Sequence, residues 1–450
     1  MVHSSRAGVR RSLPVLVLAL LFAVPAGAAT PDNEAFDGSF RLANGDVITG
    51  GYFIEGGEES FIYLDAANTA REGGKFKRVG NAAVLRSVIP NTHVTIEFRP
   101  GADGSLDTIV WNQKGRKPLS GTRVFAHKSR DVTFASADGT VLHGRLMVPL
   151  CKGPHPAIVT VGGSGPADRH GGPFQTFFLQ HGMAVLSYDK RGYGPKTTPD
   201  NWREPDLSQM SADAAAGVRF LQAQPGIDAA RIGLFGSSQG GWVVPDAAVE
   251  APRTAYMILR VGPALSEFET HLYERRQDLR AGGLHGLDLD YAIDLSRALY
   301  KLAMAGRPIA DADALAAPYL HTAWYKKAFG DGPISKVWSS FWWNWDARNM
   351  AVTPVPAIKK FRGPVLWFLA EKDVNVPLVS TRIALERAFA ASPGHDHTLK
   401  IVKGAPHSFI IPGHEGALHY TNDFFAPMEA WLDARHLSEP SCWRRQAARD

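Results

Sequence analysis

The fold of this chain is decided by residues 231–240, Arg-Ile-Gly-Leu-Phe-Gly-Ser-Ser-Gln-Gly. An apolar strand runs into a Gly-x-Ser-x-Gly sequence, which is typical of a sharp strand-to-helix turn that exposes a nucleophilic serine. Glycines are expected two positions before and after that serine, where larger side chains would collide with the sheet. Ser238 has them at Gly236 and Gly240, whereas the same spacing fails for Ser237. An ordinary Ser/Gly turn is the alternative in a chain with 44 glycines, so the surrounding sequence must support the motif.

The first 28 residues have the pattern of a secretory signal peptide. Arg6, Arg10 and Arg11 precede an apolar stretch at residues 13–24, and small residues follow at 26–28. The stretch is too short to span a bilayer, and no other segment approaches about 18 uninterrupted apolar residues. We expect cleavage after residue 28 or 29. The sequence therefore predicts a secreted or periplasmic protein with no stable membrane anchor.

The charge of the chain gives no reason to expect a nucleic-acid partner. The formal net charge is +5, and removal of the three leader arginines leaves +2. The arginines near the C-terminus, Arg444, Arg445 and Arg449, form no stripe interleaved with aromatic residues. Apolar residues make up 45% of the chain and charged residues 21%, as in an ordinary globular protein. We expect one large domain with an appendage.

Cys151 and Cys442 are the only cysteines in the sequence. Two cysteines exclude a disulfide scaffold and a cysteine-based metal site. In an oxidising compartment they could pair and tie the C-terminal tail to the body, or they could remain two free thiols. The sequence leaves both possibilities open, and it predicts neither a metal nor a cofactor.

Residues 29–126 are predicted to form a small β-rich domain. They lack helical periodicity, and Asn44-Gly45 and Asp103-Gly104 favour hairpin turns. The predicted strands are Phe40–Leu42, Val47–Ile54, Ser60–Leu64, Val94–Phe98 and Leu106–Trp111. The segment is far too short for a multi-bladed propeller. A packing or substrate-shaping role is the expectation.

Residues 127–450 are predicted to form an α/β domain, because apolar runs alternate with helical stretches in the manner of a parallel sheet wrapped by helices. The predicted strands are 131–136, 141–148, 157–161, 184–188, 232–235, 256–261, 365–370 and 399–402, with helices at 211–223 and 380–391. After Gly262-Pro263 about 90 residues intervene before the next strand, far more than such a loop usually takes. We expect residues 264–355 to be a largely helical cap insertion, with one helix at 291–304.

Five stretches within residues 130–435 resemble the motifs of the α/β-hydrolase superfamily in their usual order. They are Val161–Arg169, Tyr188–Gly194, Gly236–Gly240, Glu371–Pro377 and Gly404–Phe409. Within the superfamily, the chain resembles exported bacterial serine hydrolases of the esterase type, whose core also resembles the acyl-peptidase and thioesterase-type branches. The resemblance implies an α/β-hydrolase fold whose catalytic residues follow the order Ser, Asp, His.

The resemblance implies that Ser238 is the nucleophile, His407 the base and Asp373 the acid that orients the base. A serine hydroxyl needs a base to take its proton, and imidazole can accept and return a proton near neutral pH. The acid fixes the imidazole tautomer and stabilises the imidazolium. Weaker candidates are His414, His395 and His397 for the base, and Glu371 and Asp346 for the acid.

The resemblance also implies an oxyanion hole, which would combine the backbone N–H of Gln239 with that of Ser164 or Gly163. The sequence departs from the commoner family pattern, which has histidine where Gly162 stands. A phosphate-binding loop is the alternative for this glycine-rich turn, but no lysine follows at the required spacing. We interpret Asp189 and Arg191 as a structural ion pair below the site.

The cap insertion is rich in aromatic residues, namely Trp324, Trp338, Phe341, Trp342, Trp343 and Trp345. Trp342 and Trp343 are the candidate substrate contacts, as part of an aromatic wall for an apolar acyl or aryl group. The alternative is that these rings form the core of the cap itself.

These features predict a serine hydrolase that cleaves a carboxylic ester through an acyl-enzyme. The same catalytic residues would serve a peptidase or amidase, or a thioesterase, acting on a small-molecule or short acyl or peptidyl substrate. A binding protein that has kept the fold without turnover is the alternative outside enzymes. The sequence names neither the substrate nor the oligomeric state.

Overall fold

The computed structural model describes most of the chain, and the described residues are 33–55, 58–65, 74–88, 93–125, 127–170, 173–194, 203–392, 396–412, 418–420 and 422–439. Some predictions made from the sequence concern other residues. The predicted signal peptide, the alternative bases His395 and His414, and Cys442 lie outside the described residues.

The N-terminal region is a closed antiparallel barrel that follows a short 3₁₀ helix at Asn33–Phe36. Its strands are β1 (Gly38–Leu42), β2 (Val47–Glu55), β3 (Glu58–Asp65), β4 (Lys75–Arg78), β5 (Val84–Ser87), β6 (Val94–Arg99), β7 (Thr108–Gln113) and β8 (Leu119–Phe125). β1 pairs with both β2 and β8, which closes the barrel. Rings such as Phe36, Phe40 and Phe76 fill the interior. The five predicted strands are present, whereas β4, β5 and β8 were not predicted.

The barrel is joined to the second domain by polar and apolar contacts. The side-chain amide of Gln180 donates hydrogen bonds to the hydroxyls of Ser39 and Thr49, which are buried in the barrel. Phe125, at the end of β8, is 1% exposed and packs in a core of the second domain. Barrel and second domain therefore share buried surface.

The second domain is built on an eight-stranded sheet with the order β16-β15-β14-β13-β11-β12-β10-β9. The strands are β9 (His127–Ala135), β10 (Val141–Pro149), β11 (His155–Val161), β12 (Ala184–Tyr188), β13 (Ile227–Ser237), β14 (Tyr256–Arg260), β15 (Val365–Ala370) and β16 (His397–Val402). β9 and β10 form an antiparallel hairpin at one edge, and β11 to β16 pair in parallel. The predicted parallel sheet wrapped by helices is confirmed.

Helices cover both faces of this sheet. They are α1 (Pro173–Gln180), α2 (Leu207–Gln222), α3 (Gly240–Glu250), α10 (Val355–Lys360), α11 (Leu378–Ala390) and α12 (Asn422–Asp433). α2, α3, α10 and α11 contribute to one apolar core, while α1 and α12 contribute to the core on the other face. Two short strands, β17 (Ile410–Pro412) and β18 (Leu418–Tyr420), pair beside the sheet. The carboxyl ends of the parallel strands are left for the loops that form the site.

The cap lies between β14 and β15 and is helical, as predicted. Its helices are α4 (Glu267–Ala281), α5 (Gly286–Met304), α6 (Ile309–Ala316), α7 (Ala323–Phe329), α8 (Ile334–Val337) and α9 (Ser340–Asn349), with a 3₁₀ turn at Ala317–Tyr319. They enclose their own apolar core. The cap is tied to the sheet domain by hydrogen bonds from the Trp345 indole to the Pro205 carbonyl and from the Tyr273 hydroxyl to the Asp373 carbonyl.

Cys151 is bonded in a disulfide, and the sequence contains one other cysteine, Cys442. Of the two alternatives drawn from the sequence, the bonded state of Cys151 is the one observed. Among the described residues, no helix has both the length and the apolar character needed to cross a membrane.

Candidate active site

The serine turn lies at the carboxyl end of β13, in the middle of the parallel sheet. Ser238 has a φ of +53°, a left-handed conformation that is costly for a residue with a side chain. Its N–H donates to the carbonyl of Arg260 at 2.9 Å, which holds the turn against β14. A Cβ at Gly236 would lie 2.6 Å from the Val244 side chain and 3.0 Å from the Gly240 carbonyl. The glycine before the serine is therefore required, as the motif predicts.

The glycine after the serine has a different role from the one predicted. A Cβ at Gly240 would make only ordinary contacts, the nearest at 3.5 Å from the Val161 carbonyl. At Gly241, a Cβ would lie 2.6 Å from the Cα of Gly262 and 2.7 Å from Pro263. The close approach of α3 to the neighbouring loop therefore depends on Gly241, and the steric argument for Gly240 was wrong.

Three side chains from separate loops meet at this edge of the sheet. His407 Nε2 lies 2.9 Å from Ser238 Oγ, and His407 Nδ1 lies 2.9 Å from each carboxylate oxygen of Asp373. Asp373 is 6% exposed and follows β15, whereas His407 follows β16. The predicted residues thus form a continuous hydrogen-bond chain, although they are separated by up to 169 positions in sequence.

The carboxylate of Asp373 is held in place by its own loop. The backbone N–H groups of Asn375 and Val376 both donate to Asp373 Oδ1 at 2.9 Å. The Tyr273 hydroxyl donates to the Asp373 carbonyl, and the Asn375 side chain donates to Glu274. The cap helix α4 therefore supports the loop that carries the acid.

The weaker candidates among the described residues lie apart from the hydrogen-bond chain of Ser238, His407 and Asp373. The Glu371 carboxylate accepts a hydrogen bond from the Gly404 N–H at 2.8 Å, and the His397 ring stacks on Phe389 at 4.3 Å. Asp346 lies under the cap and lines a cavity. None of these three has a hydrogen bond with Ser238 or His407 among the described contacts.

The predicted oxyanion residues surround the serine. Gln239 is the residue before α3, and a Cβ on Gly163 would lie 3.3 Å from Ser238 Cβ and 3.9 Å from Ser238 Oγ. Gly163 therefore brings its backbone against the serine, where glycine permits the closest approach. Ser164 lines the adjoining cavity together with Gln239.

A buried ion pair that the sequence did not reveal holds this loop. Lys190 Nζ donates to the Gly163 and Gly165 carbonyls at 3.1 Å each and to Gln239 Oε1 at 2.8 Å, and it pairs with Glu204. Burial lowers the pKa of Lys190, and the Glu204 charge opposes that shift. Lys190 thus connects the two sides of the predicted oxyanion hole, and no local motif marks a lysine for this position.

The predicted ion pair between Asp189 and Arg191 was wrong. Asp189 pairs with Arg169 at 2.6 Å, whereas Arg191 pairs with Asp213 and with Asp138, the latter at 2.6 Å. Both residues are structural, but their side chains have different partners. Asp189 and Arg191 lie close together in sequence, but their side chains reach partners in different elements.

A cavity of about 670 Å³ extends from the predicted oxyanion residues to the underside of the cap. Ser164 and Gln239 lie at one side, and Trp338, Trp342 and Trp345 lie on the cap side. Trp342 is 38% exposed and lines this cavity, as expected of a substrate contact. Trp343 does not line it, because this side chain is 4% exposed and packs in the core of the cap. Trp343 is therefore part of the core of the cap, which was the alternative to a substrate contact.

The residues that the structure describes contain no group of three or more histidine, cysteine, aspartate or glutamate side chains arranged to hold a metal ion. Ser238, His407 and Asp373 bring a hydroxyl, an imidazole and a carboxylate together at the candidate site.

Comparisons with known proteins agree with this architecture. Residues 154–411 match the family model Hydrolase_4, described as serine aminopeptidase, S33. Uncharacterized protein MT2364 of Mycobacterium tuberculosis is 28% identical over 167 residues, 36% of this chain and 58% of that protein. Esterase EstD of Thermotoga maritima is 28% identical over 162 residues, 34% of this chain and 38% of that protein.

The chain thus spans less than two thirds of the length of these curated relatives. Among solved structures, hypothetical protein PA2218 from Pseudomonas aeruginosa aligns with a TM-score of 0.43 and 19% identity, over 68% of this chain and 94% of that chain. The family model covers more than half of the chain, and this protein therefore belongs to the serine aminopeptidase S33 family of α/β-hydrolases.

Proposed function

We propose that this hydrolase cleaves carboxylic esters through an acyl-enzyme formed on Ser238. The observation that carries the proposal is the hydrogen-bond chain from Ser238 Oγ through the His407 ring to the Asp373 carboxylate, with every distance at 2.9 Å. This geometry suits proton transfer from serine to imidazole while the carboxylate orients the ring.

In the first half of the reaction, Ser238 Oγ attacks the ester carbonyl and His407 Nε2 takes the serine proton. The carbonyl oxygen becomes an oxyanion, and we assign its stabilisation to the N–H of Gln239 and an N–H of the Gly163–Ser164 turn. The C–O bond then breaks, and His407 gives its proton to the departing alcohol. The acyl group remains on Ser238.

In the second half, a water molecule replaces the alcohol. His407 takes a proton from the water, the resulting hydroxide attacks the acyl carbonyl, and the same oxyanion site stabilises the negative charge. Collapse of this intermediate releases the carboxylic acid, and His407 returns the proton to Ser238. Asp373 stabilises the imidazolium in both halves without taking its proton.

The size and lining of the cavity support a small-molecule substrate. Its volume of about 670 Å³ is in the range of ligand pockets, and aromatic and aliphatic side chains from the cap form much of its surface. The relative named as an esterase also favours ester cleavage. A peptide or thioester bond would require the same residues, and only substrate comparison separates these reactions.

We further propose that the protein is exported. The arginines and apolar stretch at the start of the chain support a cleavable leader, and the disulfide at Cys151 supports an oxidising compartment. N-terminal sequencing of the mature protein tests this proposal. Material from the periplasm or medium should begin at residue 29 or 30, whereas material that still begins at Met1 would contradict it.

The ester assignment is tested with p-nitrophenyl esters of different acyl chain lengths, assayed beside aminoacyl and peptidyl p-nitroanilides of matched acyl groups. We expect kcat/KM for the best ester to exceed kcat/KM for the matched anilide. The ratio of the two values should be much larger than the ratio of the uncatalysed hydrolysis rates of the same two substrates. Anilides cleaved as well as esters would contradict ester specificity and favour the peptidase alternative.

A further inference from the structure

Lys190 and Glu204 form a buried ion pair beside the turn that carries the predicted oxyanion residues. Their side chains belong to residues that are 8% and 5% exposed. The residues described as lining the cavity include Glu204 and Gln239 but not Lys190. Taking two charges out of water costs free energy, and replacing such a pair by apolar side chains is often neutral or stabilising. Stability alone is therefore a weak reason for this pair.

The ammonium group of Lys190 is occupied by oxygens of the protein itself. It has three N–H donors. Four oxygens accept from it, namely the carbonyls of Gly163 and Gly165, Gln239 Oε1 and one oxygen of Glu204. Glu204 holds the same turn a second time, because its other oxygen accepts from the Gly165 N–H at 3.0 Å. Since the acceptors outnumber the donors, Lys190 serves the turn and not a substrate.

The bond from Lys190 to Gly163 fixes the direction of the next amide. The peptide between Gly163 and Ser164 is planar and trans, so its C=O and its N–H point in opposite directions. The carbonyl is directed at Lys190 Nζ, at 3.1 Å, and the Ser164 N–H therefore points away from Lys190. Ser164 lines the cavity, and Gly163 brings this turn against Ser238. A hydrogen bond to a cation also polarises the amide, which makes its N–H a stronger donor.

Lys190 acts on the other side of the site as well. Gln239, whose N–H is the second predicted oxyanion donor, is 5% exposed, and its side-chain oxygen accepts from Lys190 Nζ at 2.8 Å. The backbone of Lys190 is tied to the same region, because its N–H donates to the Ala167 carbonyl at 2.9 Å. One ammonium group thus fixes the two segments that supply the predicted oxyanion donors relative to each other.

We propose that Lys190, held by Glu204, is a positioning residue for the oxyanion hole. It fixes and polarises the amide between Gly163 and Ser164 and holds Gln239 beside it. The inference rests on the proposed function, because it concerns the oxyanion of the ester reaction. Lys190 itself touches no substrate atom and transfers no proton. Its effect belongs to the transition state, where the oxyanion exists, and not to the binding of the uncharged ester.

Steady-state kinetics of p-nitrophenyl butyrate hydrolysis give the first test. Lys190→Met has a side chain of similar size without a donor, so kcat should fall by about tenfold to a hundredfold while KM is nearly unchanged. Lys190→Met alone leaves a buried carboxylate unpaired, which could prevent folding. The double variant Lys190→Met/Glu204→Gln removes both charges and should show the same loss of kcat.

Inhibition by a pair of ketones separates oxyanion stabilisation from general damage to the site. Ser238 Oγ adds to the activated carbonyl carbon of 1,1,1-trifluorooctan-2-one, the serine proton passes to His407, and the carbonyl oxygen becomes an oxyanion. Octan-2-one binds without this addition. Wild type should therefore prefer the trifluoro ketone, and both Lys190 variants should reduce the ratio of the two inhibition constants by about tenfold to a hundredfold. Hydration of the free trifluoro ketone is the same for every variant.

Arg191→Met is the matched control. Arg191 follows Lys190 in the same segment and also pairs with a buried acid, Asp213. Its described side-chain hydrogen bonds reach residues outside the oxyanion turn, namely Asp213, Asp138, Thr140 and Ser136. Arg191→Met should lower the melting temperature but leave kcat and the ketone ratio unchanged.

The outcomes distinguish the two proposals. If wild type hydrolyses the ester and the folded Lys190 variants keep its kcat and its ketone ratio, the positioning role alone is overturned. Equal losses in Arg191→Met, or a wild type without preference for the trifluoro ketone, would also overturn it. If the ester is not hydrolysed at all, the proposed function fails. Calorimetric titration of the two ketones into wild type and the variants then still decides whether Lys190 acts on the oxyanion.

Discussion

The guanidinium of Arg260 lies between the serine turn and the histidine loop. One of its nitrogens donates to Ser237 Oγ at 2.5 Å, and the other donates to the carbonyls of His407 and Ser408, the former at 3.2 Å. The group also stacks over the rings of Phe174 and Phe409. Arg260 was missed in the sequence because it ends a strand of five buried residues and belongs to no motif. We interpret it as a positioning residue.

Replacing Arg260 should therefore impair turnover more than substrate binding. In Arg260→Met, loss of the bonds to the histidine loop should lower kcat by about tenfold to a hundredfold, the scale expected for a misplaced catalytic group, with KM nearly unchanged. Arg260→Lys, which keeps the charge, should be less affected. Steady-state kinetics, with melting temperatures measured in parallel, check this expectation. Arg382 on α11 is 53% exposed and serves as the control position. If Arg382→Met lowered kcat as much as Arg260→Met, the positioning role of Arg260 would be contradicted.

The raised pKa of Asp346 has a consequence for stability. Its folded-state pKa of about 7 lies above the ordinary value of an aspartate in an unfolded chain, so the folded protein binds more protons than the unfolded chain between these two pKa values. The contribution of Asp346 to stability is present at low pH and is lost as the pH rises through 7. Asp346→Asn has no carboxyl group to titrate at this position, so the variant should not lose this stability as the pH rises.

We expect Asp346→Asn to raise the melting temperature relative to wild type more at pH 8 than at pH 5. Thermal unfolding at the two pH values measures the difference. A variant whose advantage is the same at both pH values, or larger at pH 5, would contradict a raised pKa at this position.

At the scale of elements, the sequence predicted segments with a strong apolar pattern and missed strands with a weak one. β15 is six buried residues in a row and was predicted to the residue. β4 has only four residues, Lys-Phe-Lys-Arg, of which one is buried, and such a run has too few apolar positions to indicate a strand. α2 begins four residues before its predicted start, because the Gln209 side chain accepts a hydrogen bond from the Asp206 N–H and caps the helix. The Asp-x-x-Gln sequence could have indicated this start.

The two adjacent tryptophans of α9 should respond differently to truncation. Trp343→Ala should destabilise the protein by about 3 to 5 kcal/mol, because it removes a buried indole from the core of the cap and leaves a cavity. Trp342→Ala should cost much less stability but alter the ratio of kcat/KM for a short and a long acyl ester. Denaturant unfolding and the two esters measure both effects. If Trp343→Ala alone shifted the ester ratio, the assignment of the two rings would be reversed.

At the scale of the whole molecule, the barrel and the hydrolase domain are joined through buried side chains. Phe125 ends the last barrel strand and belongs to the same apolar core as residues of β11, β13 and α1. We expect Phe125→Ala to destabilise both parts together, by about 3 to 5 kcal/mol, in a single unfolding transition. Calorimetry tests this. Two separated transitions, with the hydrolase domain at its wild-type melting temperature, would show that the barrel is energetically independent.

The strands of the hydrolase domain could be predicted from their apolar runs, and the resemblance of the segments after these runs to known motifs indicated Ser238, Asp373 and His407. Closure of the barrel, the Lys190–Glu204 pair and the meeting of Glu267 and Asp346 at the cavity under the cap could not be predicted. Each joins residues that are distant in sequence and have no local pattern, such as Glu267 and Asp346. Only packing of the complete chain brings them together.

The most direct test of the proposed mechanism is fluorophosphonate labelling of Ser238→Ala and Ser237→Ala, read by intact mass and by peptide mapping. Both serines lie in the same turn. Ser238 Oγ is within hydrogen-bond distance of His407 Nε2, whereas Ser237 Oγ accepts a hydrogen bond from Arg260. Ser238→Ala should lose all labelling and lower kcat by about six orders of magnitude, while Ser237→Ala should still be labelled at Ser238. Labelling that persists in folded Ser238→Ala but disappears in Ser237→Ala would contradict the account.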